Sequence, residues 1–381
     1  MRTANRLRRR GERGTEEGLT PRLWLALVVL CVGQLMIVLD TTVVNVALPV
    51  LQRQLGFSQD SVAWVIDAYL ITFGGLLLLA GRLGDLLGRR RVFLFGIVLF
   101  SISSLACGLA GDQTLLIAAR FLQGAGAAVM AAMVLGILVT LFPEPRRRVL
   151  AMSVYAFVAS AGASLGLLVG GLLTQAVSWH WIFFVNVPIG ALVLGLGAWL
   201  LPSQPGRGIH QGVDLRGALL VTATPTLAVG ALVSGSQQGW AAPLTLVLFG
   251  LALAGALLFL SVESRARNPL VPLGVFSSRA RSGANLTRFL FPIGFYGSLF
   301  MGSMLLQRVL GYGAIETGLA FLPASLSVAL FSLVISKRVV ARFGARATVL
   351  SGLALVLVSL LLLARVPVHA DYAVDVLPAM L

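Results

Sequence analysis

The stretch "LLLLAGRLGDLLGRRRVFLFG", from Leu76 to Gly96, sets one aspartate and four arginines between two apolar runs. Apolar runs that flank so short and basic a turn are what a membrane-crossing chain presents, with its arginines held in water on the retained side. The composition agrees: of 381 residues 58% are hydrophobic and 11% charged, and the mean hydropathy is +0.94, far from a soluble globule. Crossing hydrocarbon about 30 Å thick takes roughly 20 apolar residues. Runs of that length predict spans at 22–49, 61–80, 92–110, 113–140, 149–174, 181–201, 215–235, 242–262, 284–306, 315–335 and 347–365. A twelfth begins near Tyr372 and meets the end at Leu381. The fold class read from this is all-α and polytopic.

The net charge of +15 would suggest nucleic acid in a soluble protein, but the arginines lie in short loops rather than on one face, so they report topology. One side holds the N-terminal tail, Arg82, Arg89 to Arg91, Arg146 to Arg148, Arg207, Arg216, Arg265, Arg267, Arg279, Arg281, Lys337, Arg338, Arg342 and Arg346. The other holds only Arg53, Arg308 and Arg365. The expected placement is a bacterial plasma (inner) membrane, multi-pass, with the N-terminus cytoplasmic. The single lysine, Lys337, follows Ser336, so no Walker phosphate loop exists. Cys31 and Cys107 fall inside apolar runs and His180, His210 and His369 are scattered. Neither a disulfide framework nor a metal site is expected. The first span is too long for a signal peptide and lacks a small-residue cleavage site.

Several residues inside the spans are chemically informative. Asp40 sits about 27 Å up the first helix from Arg22, where a carboxylate needs a partner, a proton or water; proton coupling or a permanent structural hydrogen bond would each satisfy it. Gln34, Thr41 and Asn45 share a narrow helical stripe from which Asp40 is turned by about 100°. The stripe either lines a substrate cavity while Asp40 faces a neighbouring helix, or the two meet. Arg120 near the start of span four marks either an ion pair in a pathway or a side chain snorkelling to the surface. Trp64, Asp67 and Tyr69 on span two and Gln123 on span four are candidate substrate contacts through ionic and cation–π edges, although interfacial anchoring serves Trp64 equally well. Gly162, Gly166, Gly170 and Gly171 make a smooth face on span five, suited to close helix packing and to sliding.

A long-range echo joins the two ends. "KRVVARFGAR", from Lys337 to Arg346, follows the tenth span as "GRLGDLLGRRR" follows the second, with Gly344 and Arg346 standing 256 residues after Gly88 and Arg90. "GRLGDLLGRRR" resembles the signature loop of the major facilitator superfamily, G-x-L-x-D-x-x-G-R-[RK]. "LDTTVVNVALP" from Leu39, "RFLQGAGAA" from Arg120, "GLLVGGLL" from Gly166, "SWHWIFFVNVPIG" from Ser178 and "NPLVPLGVF" at 268–276 are similar to motifs of its fourteen-span drug:proton antiporter branch.

That resemblance implies two six-helix bundles, an inserted two-helix hairpin and an incomplete C-terminal bundle. The expected organisation is a basic cytoplasmic tail at 1–21, an N-terminal six-helix bundle at 22–201, a linker with two extra helices at 202–282 and a partial second bundle at 283–381. It implies proton transfer involving Arg120, and a conformational gate of Gly81, Asp85, Gly88, Arg89 and Arg90, Asp85 pairing with arginines or capping a neighbouring helix. It further implies a non-enzymatic, cofactor-free exporter of hydrophobic or cationic small molecules, expected as a monomer whose partners are substrate, protons and the lipid bilayer. The alternatives are a carrier of one metabolite or lipid, or a truncated chain that transports nothing; the remaining helices are expected beyond Leu381. Three departures stand out: Gly166-Leu167 where the family has Gly-Pro, Leu86 where an arginine often follows the loop aspartate, and His180 between Trp179 and Trp181.

Overall fold

The computed structural model describes residues 20–58, 61–203, 205–206, 208, 215–266, 274, 277–331, 335–367 and 370–380. The basic tail through residue 19, Arg207, His210, His369 and most of 268–276 lie outside the described residues. Helices make up nearly all of the rest, with no strand among the described residues. Helix α1 spans Pro21–Leu55, and a 3-10 turn at Ser61–Ala63 leads into α2, Trp64–Leu87. Then come α3 (Arg89–Gly108), α4 (Gln113–Leu141), α5 (Pro145–Ala176), the short α6 (Trp181–Phe184) and α7 (Asn186–Leu200). A hairpin of α8 (Leu215–Gln238) and α9 (Pro243–Arg265) follows. After it lie α10 (Arg279–Arg308), α11 (Ala314–Ala320), α12 (Leu322–Leu330), α13 (Ser336–Ala364), a π-helical turn at Tyr372–Val376 and α14 (Leu377–Met380). Nine helical segments among the described residues are long and apolar enough to cross a membrane.

Two expectations about the spans need correcting. The basic stretches after spans two and ten were expected as loops; both are helical apart from one glycine. Helix α2 continues through Arg82 and Asp85 to Leu87, and only Gly88, at φ 95° and ψ 123°, separates it from α3. In α13 the only non-helical residue is Gly344, at φ 77° and ψ 162°. Leucine and arginine are good helix formers, so the chain needs just one residue free to take positive φ to reverse its course, and glycine supplies it. The echo seen in sequence is therefore also an echo in backbone angle. The tenth span, expected as one piece, is broken at Phe321. Pro323, in the first turn of α12, brings no N–H to the ladder, so the run loses a backbone bond there.

Packing places α1 to α7 around two apolar layers. One layer gathers Leu27, Leu30, Met36, Phe93, Ile97, Phe100, Met130, Leu138 and Val193. The other gathers Val43, Val44, Ala47, Leu51, Cys107, Leu116, Trp179 and Phe183. On α1, α3 and α4 a short interval separates the layers, and it holds Asp40 on α1, Ser104 on α3, and Arg120 and Gln123 on α4. The α8–α9 hairpin is joined near its turn by Ser234 and Thr245, whose hydroxyls are 2.8 Å apart, and packs α8 against α2. Helices α11 and α12 lie on α5, and α10 on α13.

Candidate functional site

Asp40 leaves α1 at the interval between the layers and points at α4. Its Oδ2 accepts from Arg120 Nη1 at 2.6 Å and its Oδ1 from Gln123 Nε2 at 2.7 Å. Arg120 is 1% exposed and Asp40 2%. The rest of the guanidinium is also engaged: Nε donates to the Val65 carbonyl on α2 at 2.8 Å, Nη1 to Gln123 Oε1 at 2.8 Å, and the plane lies 4.4 Å from the centroid of Tyr69. Arg120 is therefore an internal ion-pair partner and does not snorkel. A planar fork suits this work, because three acceptors and an aromatic face meet one rigid group.

The network extends to helices that the sequence reading left out. Gln123 Nε2 also donates to Ser104 Oγ at 3.1 Å, and Cys107 Sγ donates to Gln123 Oε1 at 3.4 Å. Ser104 in turn donates to the Phe183 carbonyl at 2.9 Å and accepts from Asn186 Nδ2 at 3.1 Å. Ser104, Cys107 and Asn186 sit in apolar runs, and nothing in their spacing aligns them with Asp40. The one available hint was polarity inside a span, as in "FSISSLACG" and "FFVNVPIG".

The candidate substrate stripe faces elsewhere. Thr41 bonds back to the Val38 carbonyl at 2.8 Å, and the exposed Asn45 to the Thr41 carbonyl at 2.7 Å. Gln34 Oε1 is buried with no hydrogen-bond partner among the described residues. Of the two arrangements left open by the helical wheel, the structure has the one in which Asp40 and the stripe are separate. Trp64 and Asp67 are half-buried at the start of α2. Tyr69 and Gln123, expected with these as substrate contacts, are joined to the Asp40–Arg120 pair and are 1% and 0% exposed.

At the opposite end of α2, Asp85 Oδ1 accepts from Arg89 Nη2 at 3.1 Å. Arg89 Nη1 donates onward to the Gly136 carbonyl near the end of α4 at 2.8 Å, and Arg90 donates to the Ala198 carbonyl of α7. Of the two roles expected for Asp85, the structure has the arginine pairing; it caps no helix among the described residues. Gly81, expected in the gate, has no atom within 4 Å of where a side chain would start, whereas Gly84, which was not singled out, lies against Met133. Leu86, standing where an arginine is common, is buried, and its carbonyl accepts from Gly208 N at 3.2 Å. Gly162, Gly166 and Gly170 lie against Leu35, Val38, Thr42 and Val43 of α1, and Gly171 is buried. Helix α5 runs on through Gly166 and Leu167. His180, outside the spans, stacks on Trp179 at 3.8 Å, and burial holds its pKa below the ordinary histidine value; it carries no fixed charge at neutral pH where the family has an arginine.

Membrane-length helices, duplicated glycine turns and a buried acid–arginine pair define a polytopic membrane transporter, not an enzyme. The chain belongs to the Major Facilitator Superfamily, whose model matches residues 30–381. It is 41% identical over 365 residues to the puromycin resistance protein pur8 of Streptomyces alboniger, covering 95% of this chain and 72% of that protein. It is 37% identical over 341 residues to the multidrug resistance protein Stp of Mycobacterium tuberculosis, covering 89% of this chain and 63% of that one. With the lincomycin resistance protein of Streptomyces lincolnensis it shares 39% identity over 360 residues, covering 94% and 74%. Among solved structures, the human organic anion transporter TETRAN superposes with a TM-score of 0.66 at 18% identity, over 95% of this chain and 85% of that one. The chain is thus shorter than the curated relatives it matches.

Proposed function

We propose that the chain is a proton-coupled exporter of hydrophobic or cationic small molecules, of the fourteen-span branch, working by alternating access as a monomer in the plasma membrane with its N-terminus cytoplasmic. The observation that carries this reading is the Asp40–Arg120 pair, 2.6 Å apart with both side chains almost wholly buried. An acid held at that depth is expensive unless it is paired or protonated. Charged, Asp40 binds Arg120 and Gln123; protonated, it loses its ionic hold on Arg120, so gain and loss of one proton rearranges a contact joining α1, α2 and α4. The membrane potential contributes about 2.3 kcal/mol per charge per 100 mV to such a cycle. Export of drug-like compounds is supported by relatives named for puromycin, lincomycin and multidrug resistance.

The test is proton release driven by puromycin in proteoliposomes. Asp40→Asn, which keeps the shape of the side chain, is expected to lower puromycin-dependent proton movement at least tenfold while the protein still inserts. Undiminished proton movement would refute the coupling.

In the same cycle Asp85 and Arg89 act as a lock on the cytoplasmic side, tying the α2–α3 turn to the end of α4 through the Gly136 carbonyl. Asp85→Asn weakens a half-exposed pair that contributes little to stability. Insertion and melting temperature should stay within the error of wild type while puromycin flux falls severalfold. Normal flux in this variant would leave the turn with a topological role only.

A further inference from the structure

We infer that Ser104 is a positioning residue for Asp40, acting through Gln123, and that it ties the acid to the junction of α6 and α7. The inference rests on the reading of Asp40 as a proton-carrying group.

The argument is an account of donors and acceptors in a sealed layer. Ser104 is 0% exposed, as is Gln123, and Asn186 is 1% exposed, so water does not make up a shortfall. A hydroxyl has one proton and two lone pairs. The Ser104 proton goes to the Phe183 carbonyl at 2.9 Å, and its lone pairs receive Gln123 Nε2 and Asn186 Nδ2, each at 3.1 Å. Every capacity is used. The same holds for Gln123, whose Oε1 receives Arg120 at 2.8 Å and Cys107 at 3.4 Å, and whose Nε2 supplies Ser104 and, at 2.7 Å, Asp40. Turning the amide over would set its NH2 against the Arg120 N–H and its oxygen against the Asp40 carboxylate, so Arg120 and Asp40 decide which end faces the acid, and Ser104, its own proton committed to Phe183, holds that end in place by accepting the second Nε2 hydrogen. Asn186 keeps its Oδ1 buried and without a hydrogen-bond partner; the bond it does make serves Ser104. The Phe183 carbonyl and Asn186 stand on either side of Val185, where α6 gives way to α7. A chain of bonds therefore runs from that junction through Ser104 and Gln123 to Asp40.

Removing the hydroxyl strands Asn186 and leaves the second Nε2 hydrogen of Gln123 without an acceptor in a sealed layer. The donor to Asp40 is then no longer held, and the charged acid loses part of what favours it. Infrared titration of the purified chain in lipid nanodiscs reads this directly, the Asp40 carboxyl band being assigned by its loss in Asp40→Asn. In Ser104→Ala the midpoint of that band should move toward alkaline pH by about half a unit or more, and Ser104→Thr, which restores a hydroxyl, should return it toward wild type. If Ser104→Ala does not accumulate, Asn186→Leu removes the neighbouring donor that holds Ser104 and should move the band in the same direction. A band that titrates identically in the variant, or titrates in neither protein, overturns the inference. The readout does not involve flux, so an Asp40 that titrates and shifts with Ser104 while Asp40→Asn leaves proton movement intact would uphold the positioning role and defeat the coupling.

Discussion

Arg120→Ala is expected to cost more than any other single change in the site. It leaves the Asp40 carboxylate and the Gln123 carbonyl oxygen facing an apolar gap, and breaking one side of a buried pair costs about 3–5 kcal/mol. The variant should be found in the membrane at reduced level, melt well below wild type and show no puromycin flux. Arg120→Lys separates charge from geometry. A lysine ammonium is a point charge on a flexible stem and does not reproduce the fork that serves the Val65 carbonyl at 2.8 Å and Asp40 at 2.6 Å together. That variant should accumulate better than Arg120→Ala yet transport at least tenfold more slowly than wild type. Combining Asp40→Asn with Arg120→Gln removes both charges and should restore much of the melting temperature without restoring proton movement. Melting of the purified proteins, read beside flux, checks all three; an Arg120→Ala protein as stable as wild type would mean that the pair is not a net contact of the fold.

Gly124→Val is expected to open the seam between α2 and α4. A side chain begun at this glycine would lie 2.9 Å from the Tyr69 Cα and nearer still to the Tyr69 carbonyl and the Thr72 hydroxyl. Two of those three atoms are backbone and do not step aside. The seam is also where Thr72 Oγ1 bonds the Phe121 carbonyl at 2.8 Å and where Tyr69 lies under Arg120. Overpacking of this kind costs about 1–3 kcal/mol, and because the strain falls one turn from Arg120, flux should drop further than stability alone would require. Gly74→Val is the matched control on α2, since open space surrounds that glycine; it should melt and transport as wild type does. Equal behaviour of the two variants would show that the close approach is not needed.

The membrane class, the positions of most helices and the family were legible in the sequence because they depend on run lengths, on arginine placement and on contiguous motifs. Asp40 and Arg120 were legible as anomalies, charges where charge is expensive. The extent of the second and tenth turns was misjudged because charge density was read as loop, whereas the backbone requires only Gly88 and Gly344 to leave the helix. The fate of Tyr69 and Gln123 was not legible either. A polar side chain on an amphipathic stripe has the same sequence signature whether it lines a cavity or closes an internal bond, and which of these occurs depends on the rotation of a neighbouring helix.

Sequence by itself determined that this chain crosses a membrane many times, that its basic turns repeat, and that an acid and an arginine lie within its spans. Tertiary structure alone decided that the two are partners, that Gln123, Ser104 and Asn186 complete their bonding, and that the whole set forms one polar layer between two apolar ones. The physical reason is that run length and charge are properties of single segments. A buried hydrogen bond is a property of two helices at once, fixed by how closely glycines such as Gly124 let them approach and by which faces are then turned together.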